Sequence, residues 1–373
     1  MKKLASMGKK VRAAVLTEFN KPLTIQEFPL VKPEAEALIA QVSLATFCGT
    51  DVHIWKGELK GSVTPMILGH EAVGRIYELG KGVNNDSAGN PVEVGDRIIW
   101  DRILTCGRCY QCVARGNSFA CVNRLTYGMR VGCSEPPYLN GFFSEYVYLR
   151  PRVAFFKIPE ALDDEVVSPL NCAFGAVLNG LEKLQIKPGD KVVIQGAGPL
   201  GLYAVAVARE MGASKIISID VVRSRLKLAE EFGADYTIDT SNYASAEERV
   251  KKVSDLTGGH GVDHVVEVTG SLEVIREGLE MLDSGGSYVI IGAGYAGFAN
   301  ISPSTLILKQ LKVMGSLGHE PRHIEKGLRF IESRVDRYPF KKIISHTFRL
   351  DEVNAALNVM AKKEAIKAAI RFI

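Results

Sequence analysis

The chain has 373 residues, of which 46% are hydrophobic and 24% charged, an ordinary composition for a globular protein. This length exceeds what one hydrophobic core usually supports, which predicts two domains. The formal net charge is +4, with acidic and basic residues interspersed, so the chain lacks the basic patches that typically bind nucleic acid or a membrane surface.

The N-terminal segment MKKLASMGKKVRAAVL is basic, but the apolar stretch of a signal peptide does not follow it. No segment approaches the roughly 18 consecutive apolar residues of a membrane span. We therefore expect a cytoplasmic protein. Reducing conditions there favour free or metal-bound cysteines over disulfides.

As far as about residue 185, short apolar runs alternate with Gly and Pro, as in EALIAQVSLAT, EAVGRIYELG and SEYVYL. This pattern predicts a strand-rich, irregular first domain. Within it, residues 46–57 read TFCGTDVHIWKG and contain Cys48, Thr50, Asp51 and His53. Such a cluster suits a nucleophile with its base, a metal ligand beside a proton path, or coincidence, and this segment alone does not separate the three.

Four cysteines lie close together in the segment CGRCYQCVARGNSFAC: Cys106, Cys109, Cys112 and Cys121. Two-residue spacers let neighbouring thiolates converge on one tetrahedral ion, and four thiolates complete its coordination. A complete set leaves no position for a substrate. We therefore expect a structural zinc that stabilises a loop over about residues 101–122, in preference to a disulfide or a chance cluster.

Two further segments contain side chains that could bind a metal: ILGHEAVG holds His70, and SPLNCAFG holds Cys172. With Cys48 they form a set of two thiolates and one imidazole, the composition of a catalytic zinc site that keeps a fourth position open. Taken one by one, a buried cysteine is more often part of the core, and a histidine more often simply hydrogen-bonded. Both alternatives stay open at this point.

Beyond residue 185 the pattern becomes regular, because apolar runs alternate with helical stretches. The apolar runs cover 191–195, 215–219, 235–238, 262–268, 287–292 and 311–314. The helical stretches begin near 199, 223, 245, 271, 303 and 321. This alternation predicts an α/β fold with a doubly wound parallel sheet.

The first of these strands leads into QGAGPLG, with Gly196, Gly198 and Gly201 before and inside a helix that opens at Pro199 and Leu200. The order of strand, glycines and helix is that of a dinucleotide-binding motif. The first glycine permits the turn, the second lets a pyrophosphate approach, and the third lets the helix pack on the strand. The segment therefore predicts a dinucleotide cofactor.

The next strand ends at Asp220, nineteen residues after Gly201. A carboxylate there can accept hydrogen bonds from the adenosine ribose and would repel a 2′-phosphate, which favours NAD over NADP. Arg223 and Arg225 lie close by, where a guanidinium could accommodate that phosphate. Alternatively, the two arginines lie on a solvated helix face and do not bind the cofactor.

Together, CGTDVH, GHEAVG, GDRI, the cysteine quartet, GFFSEYV, GAGPLG and the acidic strand end resemble the zinc-dependent medium-chain alcohol dehydrogenases over nearly the whole chain. The resemblance implies a β-rich, GroES-like catalytic domain at 1–172 and a Rossmann NAD-binding domain at 173–316. A C-terminal segment at 317–373 would complete the catalytic domain. The resemblance also implies a homodimer or homotetramer.

The same resemblance makes Cys48, His70 and Cys172 the ligands of a catalytic zinc. Asp51 would orient His70 by a hydrogen bond, as is common for metal-bound imidazoles. Glu71 would be a neighbouring carboxylate able to approach the metal.

For the reaction, Thr50 would take the proton of the alcohol and His53 would pass it toward solvent. Lys367 falls where some relatives bind the cofactor pyrophosphate. The implied activity transfers a hydride between an alcohol and NAD, giving a ketone or aldehyde, with two zinc ions per chain. The alternatives are a zinc-free NADPH-dependent quinone or enoyl reductase and a non-catalytic binding protein on the same fold.

The substrate is less well defined by the sequence. Asp101 and Arg102 precede the quartet, where relatives often form the pocket wall. If Arg102 faces the metal, it would favour a polar, polyhydroxylated or anionic secondary alcohol. If Asp101 and Arg102 form a surface pair, they indicate nothing about the substrate. Cys133 and Tyr138 either shape the pocket or belong to a packed loop, the expected place for Cys133.

Overall fold

The computed structural model describes residues 9–292 and 297–372. Residues 1–8 lie outside the described ranges. They belong to the basic N-terminal segment that was considered, and rejected, as a signal peptide. None of the helices in those ranges combines the length and apolar character that a membrane crossing requires.

In the described residues the strands are β1 (Lys10–Leu16), β2 (Thr24–Pro29), β3 (Leu38–Thr46), β4 (Met66–Ile67), β5 (Glu71–Leu79), β6 (Arg97–Trp100), β7 (Ile103–Leu104), β8 (Leu125–Thr126), β9 (Tyr146–Leu149), β10 (Phe155–Lys157), β11 (Lys191–Gln195), β12 (Lys215–Asp220), β13 (Tyr236–Asp239), β14 (Val262–Glu267), β15 (Leu282–Ile290), β16 (Lys312–Gly315), β17 (His346–Arg349) and β18 (Ala368–Arg371). The α-helices of the same ranges are α1 (Gly49–Trp55), α2 (Tyr110–Val113), α3 (Asp164–Val167), α4 (Ala173–Leu184), α5 (Pro199–Glu210), α6 (Arg223–Glu231), α7 (Ala246–Leu256), α8 (Glu273–Met281), α9 (Pro303–Leu308), α10 (Pro321–Glu332) and α11 (Val353–Ala361).

The chain divides into two compact units. The first runs up to Cys172 and takes in Glu320–Val335 and the chain from Phe340 onward, and the second holds Ala173–His319 and Asp336–Pro339. The predicted bounds of 173–316 and 317–373 differ from this division, since residues 317–319 and 336–339 lie in the second unit.

Hydrogen bonds explain that difference. Asn179 of α4 donates to the carbonyl of Gly318 at 2.8 Å, and the Tyr338 hydroxyl donates to Glu210 of α5 at 2.6 Å. Both short pieces are therefore tied to helices of the second unit. Nothing in the sequence marks these two contacts, because they depend on which surfaces meet.

The first unit is built mainly from antiparallel strands. Its larger sheet, as far as the described residues show, has seven strands in the order β10-β6-β5-β3-β18-β17, with β9 also paired to β3. A smaller sheet has the order β2-β1-β4. Apolar side chains between these sheets form a core that includes Phe47, Trp100 and Phe142.

The second unit is a parallel sheet with helices between successive strands. In the described residues its strand order is β13-β12-β11-β14-β15-β16, the doubly wound arrangement of a Rossmann fold. The predicted strands and helices of this region are all present, and the α/β fold class is confirmed. One boundary is wrong, because β15 begins at Leu282 rather than near residue 287. The polar residues Asp283 and Ser284 and two glycines hide its start in the sequence.

Candidate metal centre and cofactor site

Four side chains able to bind a metal meet inside the first unit: Cys48, His70, Glu71 and Cys172. One ligand atom from each lies within 4.8 Å of all the others. His70, Glu71 and Cys172 are buried. The fold brings them together because Cys48 follows β3, and His70 and Glu71 lie at the start of the paired strand β5. Cys172 follows a short 3₁₀ turn packed on β5.

Asp51 connects two of these four side chains. Its Oδ2 accepts a hydrogen bond from the backbone N–H of Cys48 at 2.8 Å, which fixes the start of α1. Its Oδ1 lies 3.0 Å from His70 Nδ1. Because Nδ1 is held by the carboxylate, Nε2 is the nitrogen left to bind a metal, and it is buried with no hydrogen-bond partner among the described residues.

Only one of the two carboxylate oxygens of Glu71 is hydrogen-bonded in the described residues. Its Oε2 accepts hydrogen bonds from the Thr46 hydroxyl at 2.6 Å and from Lys367 Nζ at 2.5 Å. Lys367 Nζ also donates to the Phe47 carbonyl at 2.9 Å. The other carboxylate oxygen, Oε1, is buried and has no hydrogen-bond partner in the described ranges.

The charges of this cluster shift several pKa values. A hydrogen bond from Cys172 and further interactions with His70 lower the pKa of Cys48 well below its usual range, although burial opposes this. The same hydrogen bond, together with burial, raises the pKa of Cys172. Burial would lower the pKa of His70, but the Asp51 carboxylate and Cys48 outweigh it and raise the value to about 10.

This donor set fits zinc. Sulfur and imidazole ligands suit Zn²⁺, and a buried imidazole nitrogen and carboxylate oxygen without protein partners are atoms that a cation would satisfy. Metal binding also displaces the protons that the cluster otherwise holds.

Thr50 and His53 lie on α1, which starts beside this cluster. Thr50 Oγ1 is 3.7 Å from Cys48 Sγ. His53 is three residues further along the helix, on the same face, and its Nδ1 is 2.5 Å from Glu58 Oε2. The two side chains thus lead from the candidate metal centre toward solvent.

The cysteine quartet forms a second cluster in the first unit, and its four sulfur atoms also lie within 4.8 Å of one another. The Sγ atoms of Cys109 and Cys112 are 3.5 Å apart, as are those of Cys106 and Cys121. Backbone N–H groups point at these sulfurs, and the one of Arg108 is the main reason why the pKa of Cys106 falls to about 6. Backbone hydrogen bonding lowers the pKa of Cys109 as well. Four converging sulfurs, two of them with a lowered pKa, fit a second zinc ion.

The glycine segment lies between β11 and α5 in the second unit, as predicted. Gly196 has a φ of +106°, which favours glycine. A Cβ at Gly201 would lie 1.8 Å from the Gly196 carbonyl oxygen. Only glycine at position 201 therefore lets the helix pack here. A Cβ at Gly198 would meet only Arg225 Nη1, at 4.0 Å. Protein packing therefore leaves room over Gly198, where the motif expects a pyrophosphate.

Asp220 ends β12 and contacts this loop. Its Oδ2 accepts a hydrogen bond from the backbone N–H of Ala197 at 2.7 Å, and its Oδ1 accepts one from Val222 N–H at 2.8 Å. The carboxylate is thereby held beside the first glycine turn. This arrangement, with the helix N-terminus at Pro199, fits a dinucleotide.

Comparison with known proteins agrees with this geometry. Residues 34–160 match the alcohol dehydrogenase GroES-like domain, and residues 199–333 match the zinc-binding dehydrogenase family. The chain is 36% identical to 5-exo-hydroxycamphor dehydrogenase of Pseudomonas putida, over 96% of this chain and 98% of the relative. The chain belongs to the zinc-dependent medium-chain dehydrogenase/reductase family.

Solved structures support the same assignment. An alcohol dehydrogenase from Thermotoga maritima superposes with a TM-score of 0.91 at 36% identity, covering 98% of this chain and 100% of that one. A zinc-binding dehydrogenase from Sinorhizobium meliloti 1021, bound to NADP, superposes with a TM-score of 0.85 at 28% identity, covering 97% and 99%. The protein is thus an alcohol oxidoreductase of the zinc type, and the zinc-free reductase and the non-catalytic protein are the disfavoured alternatives.

Other predicted residues of this medium-chain dehydrogenase lie in unexpected surroundings. Lys367, expected at the cofactor pyrophosphate, is fully buried and forms an ion pair with Glu71. Its contact with a cofactor stays a prediction. Asp101 and Arg102 do not form a surface pair, since both are buried, and Arg102 Nη1 donates to the Asn171 carbonyl at 3.1 Å.

The loop after the quartet behaves as a packed loop. Cys133 is buried against Leu139 and Tyr146, and Tyr138 packs on the edge of the same cluster. Neither residue contributes to the four-residue metal cluster. The packed-loop interpretation of Cys133 is therefore confirmed.

Sequence reasoning missed two polar side chains of this dehydrogenase. Thr46 stands at the end of an apolar strand, where its hydroxyl reaches Glu71. Glu58 follows Gly57 directly after α1 and contacts His53. Only the position of Glu58 could have been recognised in the sequence. A glycine after a helical stretch often ends the helix and directs the next residue back toward its last turn.

Proposed function

We propose that this dehydrogenase oxidises a secondary alcohol to a ketone, using NAD and a catalytic zinc held by Cys48, His70 and Cys172. The convergence of two sulfurs, the unpartnered His70 Nε2 and Glu71 within 4.8 Å supports this assignment most strongly. Zinc in this site would supply Lewis acidity that lowers the pKa of an alcohol hydroxyl or polarises a carbonyl. The cofactor would supply the hydride acceptor.

Side chains of the protein then transfer the proton that the alcohol loses. Thr50 accepts the hydroxyl proton of the substrate while donating its own, and His53 carries the charge toward solvent, as an imidazole can near neutral pH. Asp51 keeps His70 in the tautomer whose Nε2 faces the cluster. Glu71 offers Oε1 to the same cluster and is kept there by Thr46.

We assign the cysteine quartet to a second, structural zinc, which gives two zinc ions per chain. All four positions of a tetrahedral ion would be filled by sulfur, so this site has no place for a substrate. Its four-residue helix α2 and short 3₁₀ turn have too little core of their own to order the loop. A bound ion would supply that order.

We assign NAD as the cofactor in preference to NADP. Asp220 accepts hydrogen bonds from two backbone N–H groups, which keep its carboxylate in place beside the glycine turn. A second negative charge from a 2′-phosphate would be repelled there. Arg225 lies beside Gly198 and would contact the pyrophosphate of a bound NAD.

A secondary, polar alcohol is the substrate class that these residues suit best. The related hydroxycamphor dehydrogenase is named for an alcohol with its hydroxyl on a ring carbon. Arg102 is buried, and its Nη1 donates to the carbonyl of Asn171, the residue before Cys172, so a cation lies close to the candidate metal centre. Such a cation favours polyhydroxylated or anionic alcohols over plain alkanols.

We also propose that the protein is a homodimer or homotetramer. β16 is an edge strand of its sheet, and apolar side chains are exposed nearby, with Leu308 at 78% and Ile307 at 72%. An unpaired edge beside exposed apolar residues typically marks an interface. Light scattering after gel filtration would show a mass of two or four chains, whereas a monomer would contradict the proposal.

One experiment tests the proposed function. The purified protein is analysed for zinc, and NADH or NADPH formation is followed with 2-propanol, cyclohexanol, 2,3-butanediol and sorbitol. We expect about two zinc ions per chain and NAD-linked oxidation that is faster with the diols and polyols. Absence of zinc with NADPH-dependent reduction of quinones, or bound zinc with no turnover of any alcohol, would contradict it.

The same panel tests the role of Arg102. The Arg102→Ala variant should lose turnover of sorbitol and 2,3-butanediol more than turnover of 2-propanol. Equal turnover of all alcohols by both proteins would show that Arg102 does not select the substrate.

A further inference from the structure

Glu58 contacts the outer end of the proton path, although no part of the family pattern assigns it a role. We infer that Glu58 is a positioning residue for His53, which it holds at the outer end of the path from the candidate metal centre through Thr50 and His53 to solvent. This inference rests on the proposed function of Thr50 and His53.

The end of α1 places Glu58 over His53. Gly57 N–H donates to the Ile54 carbonyl and Glu58 N–H donates to the His53 carbonyl, both at 2.9 Å. This pair of bonds is the Schellman motif, which needs a left-handed residue between them, and Gly57 has a φ of +76°. A Cβ at Gly57 would also lie 3.1 Å from Phe19 Cγ, so the local packing favours glycine as well.

The side-chain contact then fixes the state of the imidazole. Glu58 Oε2 lies 2.5 Å from His53 Nδ1, and this hydrogen bond lowers the pKa of Glu58. An ionised carboxylate only accepts, so Nδ1 carries the proton. The ring's other nitrogen, Nε2, points away from Glu58 and keeps the lone pair that a proton acceptor needs. When His53 takes a second proton, the carboxylate stabilises the resulting charge.

Exposure rises along the path in the direction that a proton must travel. Thr50 lies beside Cys48, whereas the side chains of His53 and Glu58 are 40% and 44% exposed. His53 is also in the last turn of α1, where the helix dipole favours a positive charge. Proton release to water at this end needs no further residue.

Other charged groups also lie near His53. Lys56, at the end of α1, also lowers the pKa of Glu58. The helix packed against α1 is α11, and its sequence VNAALNVMA contains no titratable side chain. The loop that contacts the end of α1 through Asn20 carries Glu18 and Lys21. Glu58 forms an ion pair with His53 at 2.5 Å.

The Glu58→Gln variant tests the inference, because it keeps the size of the side chain and removes its charge. With cyclohexanol and NAD, we expect kcat at neutral pH to fall roughly tenfold with KM unchanged. The pH profile of kcat should differ from that of the wild type, because the contact between His53 Nδ1 and the Glu58 carboxylate is lost. Glu58→Asp should recover part of the rate. Glu18→Gln, which changes an exposed carboxylate of the neighbouring loop, should match the wild type.

The His53→Ala variant separates this inference from the proposed function. If His53→Ala is as fast as the wild type, the proton path itself is wrong. If His53→Ala is slow while Glu58→Gln keeps the wild-type kcat and pH profile, the path stands and the role of Glu58 is overturned. The double variant should be no slower than His53→Ala alone, and an additional tenfold loss would also overturn it.

Discussion

The two cysteine-containing clusters of the first unit are alike in chemistry and different in construction. The quartet comes from one short loop, and its sulfurs are ordered by backbone N–H groups. The other cluster gathers residues from distant segments and contains buried charges, with Asp51 and Lys367 around it. A local, all-sulfur cluster can do little beyond holding a loop. A mixed cluster fixed by buried hydrogen bonds can control the charge and proton position that a reaction needs.

The clusters also place different demands on the fold. The ion pair of Lys367 and Glu71 is almost completely buried, and burying two charges costs free energy that their contact and hydrogen bonds must offset. The quartet is only partly buried and carries no such pair. Loss of a cysteine ligand should therefore mainly lower turnover in the mixed cluster and mainly lower stability in the quartet, whereas loss of the buried ion pair should lower stability.

The largest effect is expected for Cys48→Ser. Loss of one ligand of the proposed catalytic zinc should remove several kcal/mol of Lewis-acid stabilisation, which corresponds to a fall in kcat of at least about 10³-fold. The thermal midpoint should change little, because the surrounding hydrogen bonds remain. Turnover with NAD and differential scanning calorimetry measure the two quantities, and a large loss of stability with preserved turnover would reverse the assignment.

Lys367→Met should mainly destabilise the protein. The change leaves the Glu71 carboxylate buried without its partner, at a cost of about 3–5 kcal/mol. Adding Glu71→Gln should recover most of that loss, since no uncompensated charge remains. Denaturant unfolding of the single and double variants tests this, and equal stability of all three proteins would show that the ion pair is not formed.

Cys109→Ser should show the opposite pattern to Cys48→Ser. Loss of the structural zinc should lower the unfolding free energy by about 3 kcal/mol, or roughly 5–10 °C in thermal midpoint, with turnover at low temperature largely kept. Thermal unfolding with and without a chelator measures the effect. A chelator that destabilises the variant as much as the wild type would contradict it.

The smallest effect is expected for Asp220→Ser, which lies in neither cluster and serves as a contrast to both. Removing the carboxylate should lower the preference for NAD over NADP by roughly ten- to a hundredfold in kcat/KM, without changing zinc content or stability. Kinetics with both cofactors measure it. An unchanged ratio would mean that Asp220 does not discriminate between them.

The sequence predicted those parts of the molecule that depend on local patterns. The quartet, the glycine turn and the Rossmann strands all have short-range signals, because spacers, glycines and apolar runs determine them. That Cys48, His70 and Cys172 lie close together was predicted only from the resemblance to a family. The contacts of Thr46 and Lys367 with Glu71 had no signal, since they join residues far apart in sequence that a β-sheet brings side by side.

Zinc content per chain, measured by mass spectrometry on the wild type, Cys48→Ser and Cys109→Ser, tests most directly whether the two clusters hold separate ions with separate roles. We expect two ions in the wild type and one in each variant, with turnover lost only in Cys48→Ser and stability lost mainly in Cys109→Ser. One ion in the wild type, or loss of both ions in either variant, would contradict this division.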